Sequence, residues 1–202
     1  MNGPGIPPRR LETERLTVRC YEPADAALLK EAVDSSLDHL RPFMSWAWEA
    51  PEPVALIAER LLGFRDQFDR GDNYVYGLFA RDGGELVGGA GLHRRVGPGG
   101  FEIGYWVRSS RVRQGLATEA AAALTRVAFE RCGVDWIEIR IDPANAASLG
   151  VPAKLGYRRE ATLRRRLPPN RPGDERRDAV VFSLLDDEYP RSPSARVAVT
   201  YG

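Results

Sequence analysis

Glu102-Ile103-Gly104-Tyr105-Trp106-Val107, and four residues later Val112-Arg113-Gln114-Gly115-Leu116-Ala117-Thr118, set a strand, a glycine turn and a helix start in succession. The strand spans Phe101 to Val107. The helical pattern runs from just after Gly115 through Ala120–Ala123 and Leu124 to about Arg131, where Gly133 stops it. A strand-to-helix turn carrying glycine brings several backbone N–H groups together with no side chain in the way, and the helix dipole adds partial positive charge. Gly115 and Ala117 are small, Thr118 adds a hydroxyl, and Arg111 and Arg113 flank the turn. Alone, the pattern fits plain turn chemistry as well as an anion site.

Working outward, Glu85 to Arg94 pairs with Phe101–Val107 through the turn Gly97-Pro98-Gly99-Gly100. Tyr74 to Ala80 precedes it across Asp82-Gly83-Gly84. If the glycine turn is symmetric, paired residues sum to 195, which sets His93 opposite Glu102. Upstream lie a strand around Leu16, Val18 and Cys20, a helix opened by Glu22-Pro23-Ala24-Asp25, and an aromatic, proline-containing link over 37–53. A helix from Val54 to Phe68 follows. Downstream lie strand Trp136–Ile141, a short helix at Ser148–Leu155, and strands Tyr157–Leu163 and Arg177–Leu185. This order predicts an α+β fold with a mixed, mostly antiparallel sheet and one βαβ crossover. It divides the chain into a flexible N-terminal arm (1–10), one domain (11–187) and a polar C-terminal tail (188–202).

The chain has 202 residues and a net charge of +1, so no overall field marks a nucleic-acid or membrane partner. Of its 29 basic residues all but Lys30 and Lys154 are arginines, a bias that genome composition alone produces. Cys20 and Cys132 stand far apart, and with His39 and His93 give no metal-ligand spacing, so no metal is expected. No apolar run nears the ~20 residues that span a bilayer. The expectation is a cytoplasmic protein without a membrane partner, for which nucleic acid is also an improbable partner.

Four stretches then resemble one family in its own order. Glu102–Val107 with Arg111–Ala120 is similar to the "EIGYWL…RGKGYATEA" segment of the GNAT N-acetyltransferases of the RimJ/RimL type. Asn145-Ala-Ala-Ser148 with Lys154-Leu155-Gly156-Tyr157 resembles their "NxxS…KLGF" stretch. Glu14–Arg19 resembles the opening "ERLxLR" strand, and Arg177–Ser183 the closing "DHVLYSLL" strand. The resemblance covers about residues 12–185. It implies the GNAT acyl-CoA N-acyltransferase fold, with two splayed strands (Phe101–Val107 and Trp136–Ile141) in a sheet flanked by helices. It also implies acetyl-CoA as cosubstrate, a primary-amine acceptor (a protein N-terminus or a small amine such as an antibiotic or polyamine), and a homodimer.

The resemblance assigns the coenzyme to Val107, whose N–H would bond the thioester oxygen, and to Arg113, Gln114, Gly115, Leu116, Ala117, Thr118, Asn145, Ser148 and Lys154. Glu102 is the candidate general base, with a cross-strand ion pair as its structural alternative. His93 is its candidate relay partner, and Ser148 can protonate the leaving thiolate. Phe43, Trp46, Trp48 and Tyr105 are the candidate acceptor-binding residues, the three link aromatics serving equally well as core pegs. Two departures stand out. Val112 and Arg113 replace the Gln or Arg and the Gly usual at those slots. Gly150 and Pro152 interrupt the helix after Asn145, Pro152 at the slot where alanine N-terminal acetyltransferases place a tyrosine acid. A proline there costs roughly 3 kcal/mol and shortens or kinks the helix. Eight arginines between Arg158 and Arg177 suit an acidic acceptor, ribosomal RNA or simply a solvated face. The rival from another class is a non-catalytic acyl-CoA-binding sensor or scaffold.

Overall fold

The computed structural model describes residues 4–81, 84–171 and 173–202. Residues 1–3 of the expected arm, and Asp82 and Gly83 of the expected Asp82-Gly83-Gly84 turn, lie outside them. The strands are β1 (Arg10–Glu12), β2 (Leu16–Cys20), β3 (Asn73–Ala80), β4 (Leu86–His93), β5 (Gly100–Val107), β6 (Trp136–Ile141), β7 (Arg158–Leu167), β8 (Arg177–Leu185) and β9 (Thr200–Tyr201). They form one sheet in the order β7-β8-β6-β5-β4-β3-β2-β1-β9. Every neighbouring pair is antiparallel except β5–β6. The helices are α1 (Ala26–Asp34), α2 (Leu37–Leu40), α3 (Val54–Arg70), α4 (Leu116–Val127) and α5 (Ala146–Lys154).

Alternation along the strands divides the core into two layers. On one face, α4 presents Ala120–Ala123, Leu124 and Val127, all but solvent-free, against Phe101, Ile103, Ile137 and Ile139. Four consecutive alanines bring this helix close to the sheet. On the other face, Leu29 and Val33 of α1 and Ile57 and Leu61 of α3 pack with Tyr21 and Phe79. The expected hairpin register holds, with His93 facing Glu102.

The parallel pairing of β5 with β6 is short. Gly100, Phe101 and Glu102 face Trp136, Ile137 and Glu138, and pairing stops there. The strands separate beyond Glu102, as the resemblance implied, and the opening lies between α4 and the α1/α3 layer. Gly133 ends the long helix at φ +64° after a π-helical turn, Ala128–Cys132.

Several boundaries differ from expectation. The 37–53 link contains α2 and a 3-10 turn, Ser45–Trp48. β7 extends to Leu167 instead of ending at Leu163. β1 starts inside the expected arm, and the arm itself is tied down, the Gly5 N–H donating to the Cys132 carbonyl at 2.8 Å. The expected tail carries two 3-10 turns and β9, which pairs with β1 through Leu11 and Tyr201. Short 3-10 turns and a two-residue strand leave no periodic signal in a sequence.

Candidate active site

The turn before α4 has the geometry an anion needs. Arg113 (φ +61°) and Gly115 (φ +81°) are both left-handed. That conformation suits glycine at no steric cost and strains arginine. The Gly usual at the Arg113 slot in the resembled family thus has a conformational reason. Gly115 is the N-cap of α4 and offers no side-chain cap. The N–H groups of Leu116, Ala117 and Thr118 therefore have no acceptor among the described residues, the state in which a helix end binds phosphate.

An arginine from the other end of the chain fixes this turn. Arg15 donates from Nη1 to the Gln114 carbonyl at 2.7 Å and from Nε to Glu119 at 2.7 Å. Glu119 also accepts from the Arg15 N–H at 2.9 Å and from the Thr13 hydroxyl at 2.6 Å. A carboxylate in the first turn would oppose a bound phosphate, and Arg15 offsets its charge while holding the loop. Both residues stood in the quoted motifs, but a contact across about a hundred residues gives no local sequence signal.

The splay exposes backbone donors. The Asp135 N–H bonds to the Gly99 carbonyl, so Gly99 faces β6. The Arg108 N–H bonds to the Val87 carbonyl, so Arg108 faces β4. Ladder bonds alternate in direction along a strand. Ile103, Tyr105 and Val107 accordingly point their N–H groups toward β6, where pairing has ended. Val107, the donor expected from the sequence, and Tyr105 both direct their N–H groups into this gap, and of the two Tyr105 lines the cavity that passes through the splay.

On the α4 side of the splay, Asn145 caps α5, its side chain accepting from the Ser148 N–H at 3.1 Å. The Tyr105 hydroxyl lies 2.9 Å from Ser148 Oγ and 3.3 Å from the Ser148 carbonyl. Pro152 lies inside α5 and has no N–H for that carbonyl, four residues back. The departure at Pro152 therefore leaves that carbonyl without its helical donor, and the Tyr105 hydroxyl lies beside both it and Ser148 Oγ. Burial pushes the Tyr105 phenol up to about 12, the Ser148 hydrogen bond pulling slightly the other way, so it keeps its proton at neutral pH.

A cavity of about 680 Å³ joins Ser148 and Tyr105 through the splay to the α1/α3 face, where Glu102, His93, Phe43 and Trp46 line it. Glu102 is 5% exposed and ion-paired to Arg95, with Arg140 Nε 3.7 Å away. The expected ion-pair alternative is thus present. His93 does not bond to Glu102. Its Nδ1 meets Asn73 Oδ1 at 2.6 Å, and Asn73 Nδ2 donates to Gln67 at 3.2 Å. A carbonyl oxygen only accepts, so in this arrangement His93 carries its proton on Nδ1 and keeps a lone pair on Nε2. A Cβ on Gly91 or Gly104 would lie 2.8 or 3.2 Å from Nε2, so glycine at both positions makes room for the ring. Burial, and Arg95 after it, lowers His93 to about 3.

Two expected residues stand apart. Trp48 is absent from the cavity wall: its indole donates to the Arg41 carbonyl, and its ring carries the guanidiniums of Arg41 and Arg171 at 4.9 and 4.2 Å from its centroid. Lys154 occupies the last turn of α5, about 13 Å along the helix axis from Asn145. Arg15, Asn73, Arg95 and Arg140 are site residues that the sequence reading did not single out.

The GNAT acetyltransferase domain model matches residues 15–158. "Putative ribosomal N-acetyltransferase YdaF" of Bacillus subtilis (strain 168) is 29% identical over 183 residues, 87% of this chain and 94% of that protein. Among solved structures, Mycobacterium smegmatis RimJ in complex with CoA-disulfide superposes with a TM-score of 0.79 at 25% identity, covering 94% of this chain and 93% of that one. The crystal structure of a RimL, described as a ribosomal L7/L12 alpha-N-protein acetyltransferase, shares the fold at 18% identity, with a TM-score of 0.76 over 87% of this chain and 97% of its own. With a cavity through a splayed sheet and an open helix end beside it, this chain belongs to the GNAT acetyltransferases, of the RimJ/RimL type, and is an N-acetyltransferase.

Proposed function

We propose that the protein transfers the acetyl group of acetyl-CoA directly to the α-amino group of a protein N-terminus. The observation that carries this reading is the single cavity in which the donor-side pair Tyr105–Ser148 and the acceptor-side groups His93 and Glu102 meet across the splay. The open N–H groups of Leu116, Ala117 and Thr118 suit the pyrophosphate of the coenzyme, with Arg113, Gln114 and Gly115 shaping the loop. The CoA-disulfide held by RimJ supports a coenzyme A thioester as cosubstrate here.

Acetyl-CoA supplies an activated acyl group, and this chain's residues position and desolvate. The N–H groups of Val107 and Tyr105 suit a carbonyl oxygen as it gains charge. If Tyr105 donates to Ser148 Oγ, the Ser148 proton is free to point at a leaving sulfur, so Tyr105 serves as the positioning residue for that acid. On the acceptor side Glu102 is the carboxylate base read from the sequence, yet its oxygens are engaged by Arg95 and face Arg140. His93 Nε2 has the uncommitted lone pair and takes the proton directly or through a water. Burial makes His93 a weak base in this setting. An α-amine, with pKa near ~8, is partly neutral already, whereas a lysine near ~10.4 asks far more of the site. This difference favours a terminal amine.

Thiol release from acetyl-CoA with peptides tests the reading. A peptide with a free α-amine should turn over at least about tenfold faster than an Nα-blocked peptide bearing only a lysine amine. The reverse order overturns the α-amine assignment, and coenzyme A binding with no turnover on any amine returns the protein to the sensor class. The homodimer implied by the family is part of the same proposal, and sedimentation as a 22.4 kDa particle overturns it.

A further inference from the structure

Between Leu163, which faces Ala179, and Leu167, which faces Arg177, β7 carries Arg164, Arg165 and Arg166 against Asp178 alone on β8. Three arginines thus bulge from an edge strand, and bulges re-aim side chains. The backbone of this bulge is pinned at three points. The Arg165 N–H donates to Asp178 at 2.9 Å, and Arg176 donates to the Arg165 and Arg166 carbonyls at 2.9 and 3.1 Å. Arg165 itself is left-handed, at φ +56°. A strained, triply tied turn fixes the backbone from which the Arg164 and Arg166 side chains project, and both are exposed without a partner among the described residues.

Arg166 lines the mouth of the acceptor cavity beside Leu167 and Pro168. Around that cavity, Asp34, Glu52, Glu102 and Asp142 are each neutralised by a basic residue of this chain: Lys30, Arg60, Arg95 and Arg177. Among the described lining residues, Glu49 is left as an unpaired carboxylate, suited to an ammonium, and Arg166 as an unpaired cation. The hairpin from 158 to 178 holds eight arginines against four acids in a chain of net charge +1.

We propose that the Arg164–Arg166 bulge reads the acceptor, selecting a polypeptide N-terminus followed within a few residues by aspartate or glutamate. The arginine fork suits a carboxylate, which it can bind with two parallel N–H donors. This inference rests on the N-terminal acetyltransferase reading and adds the chemistry of its substrate.

Peptides with a free α-amine, paired so that glutamate at positions two to four is replaced by glutamine, test it. The acidic peptide should show a KM about five- to tenfold lower, an advantage that shrinks as salt rises. Arg166→Gln should abolish most of the advantage, raising KM for the acidic peptide several times more than KM for the neutral one. Arg166→Lys should restore part of it. Calorimetric binding of the two peptides reads the same preference even if neither is acetylated, which separates this inference from the reading beneath it. Equal KM and equal binding for the pair overturn the proposal, as does an undiminished preference in Arg166→Gln. So does selective binding of an RNA oligonucleotide with no peptide preference.

Discussion

His93 gives the site a pH signature of its own. Burial holds its folded-state value near 3, below the ordinary 6.5. Below pH 6.5 the unfolded chain takes up a proton at this residue that the folded chain refuses, so acid favours unfolding through it. The penalty is absent above pH 6.5 and grows by about 1.4 kcal/mol per pH unit as pH falls toward 3. His93→Gln removes this term while leaving a group able to bond Asn73. Denaturant unfolding at pH 6.5 and 4.5 should show wild type losing about 2–3 kcal/mol more than the variant. Parallel losses would place His93 in contact with solvent and end its role as a neutral acceptor. The sequence revealed this residue's cross-strand neighbour, Glu102, because strand pairing follows from turn symmetry. It could not reveal Asn73 as the partner, since a rotamer choice between two neighbours depends on packing. Arg113 shows the same limit: its place in the turn was legible, its left-handed backbone was not.

At the scale of elements, the coenzyme role proposed for α4 depends on how firmly its first turn is held. Arg15 spans two elements, joining the β1–β2 turn to Gln114 and Glu119. Arg15→Ala would free the loop and leave an uncompensated carboxylate beside the phosphate site. The expected result is a rise of about tenfold in KM for acetyl-CoA, with KM for the amine and kcat at saturation little changed. Arg15→Lys should not restore it, because an ammonium lacks the fork that reaches the carbonyl and the carboxylate together. A fall in kcat with KM intact would make Arg15 a general stabiliser and not a positioning residue. The strand–turn–helix around α4 was legible because period-2 and period-3.6 patterns meet at a glycine. The β7 bulge was not, because its register is set by β8 and by Asp178, Arg176 and their bonds, none of which has a periodic trace.

At the scale of the whole molecule, the C-terminal segment is a strap over α4. Tyr189 stacks on Phe129 with ring centroids 4.7 Å apart and donates to Glu130 at 2.8 Å. The Val197 carbonyl accepts from Arg126 at 2.6 Å, and Tyr201 lies under the Arg131 guanidinium. Gly156, at φ +84°, lets the strap pass, for a Cβ there would come within 2.9 Å of Pro193. The strap therefore braces the outer face of the helix whose first turn is the proposed coenzyme site. Truncation after Asp187 exposes Phe129, removes the Tyr189 bond to Glu130 and strips β9 from the outer edge of β1. Burial of the Tyr189 ring alone is worth about 2–3 kcal/mol, and at about 2–4 °C per kcal/mol the truncated chain should melt roughly 4–12 °C lower. If the strap is a bystander, Tm will stay within about 2 °C of the full chain, and the domain will end at β8 as its polar composition suggested. If it is a brace, added coenzyme A should recover part of the lost Tm, because a ligand of the α4 turn stabilises the state that the strap supports.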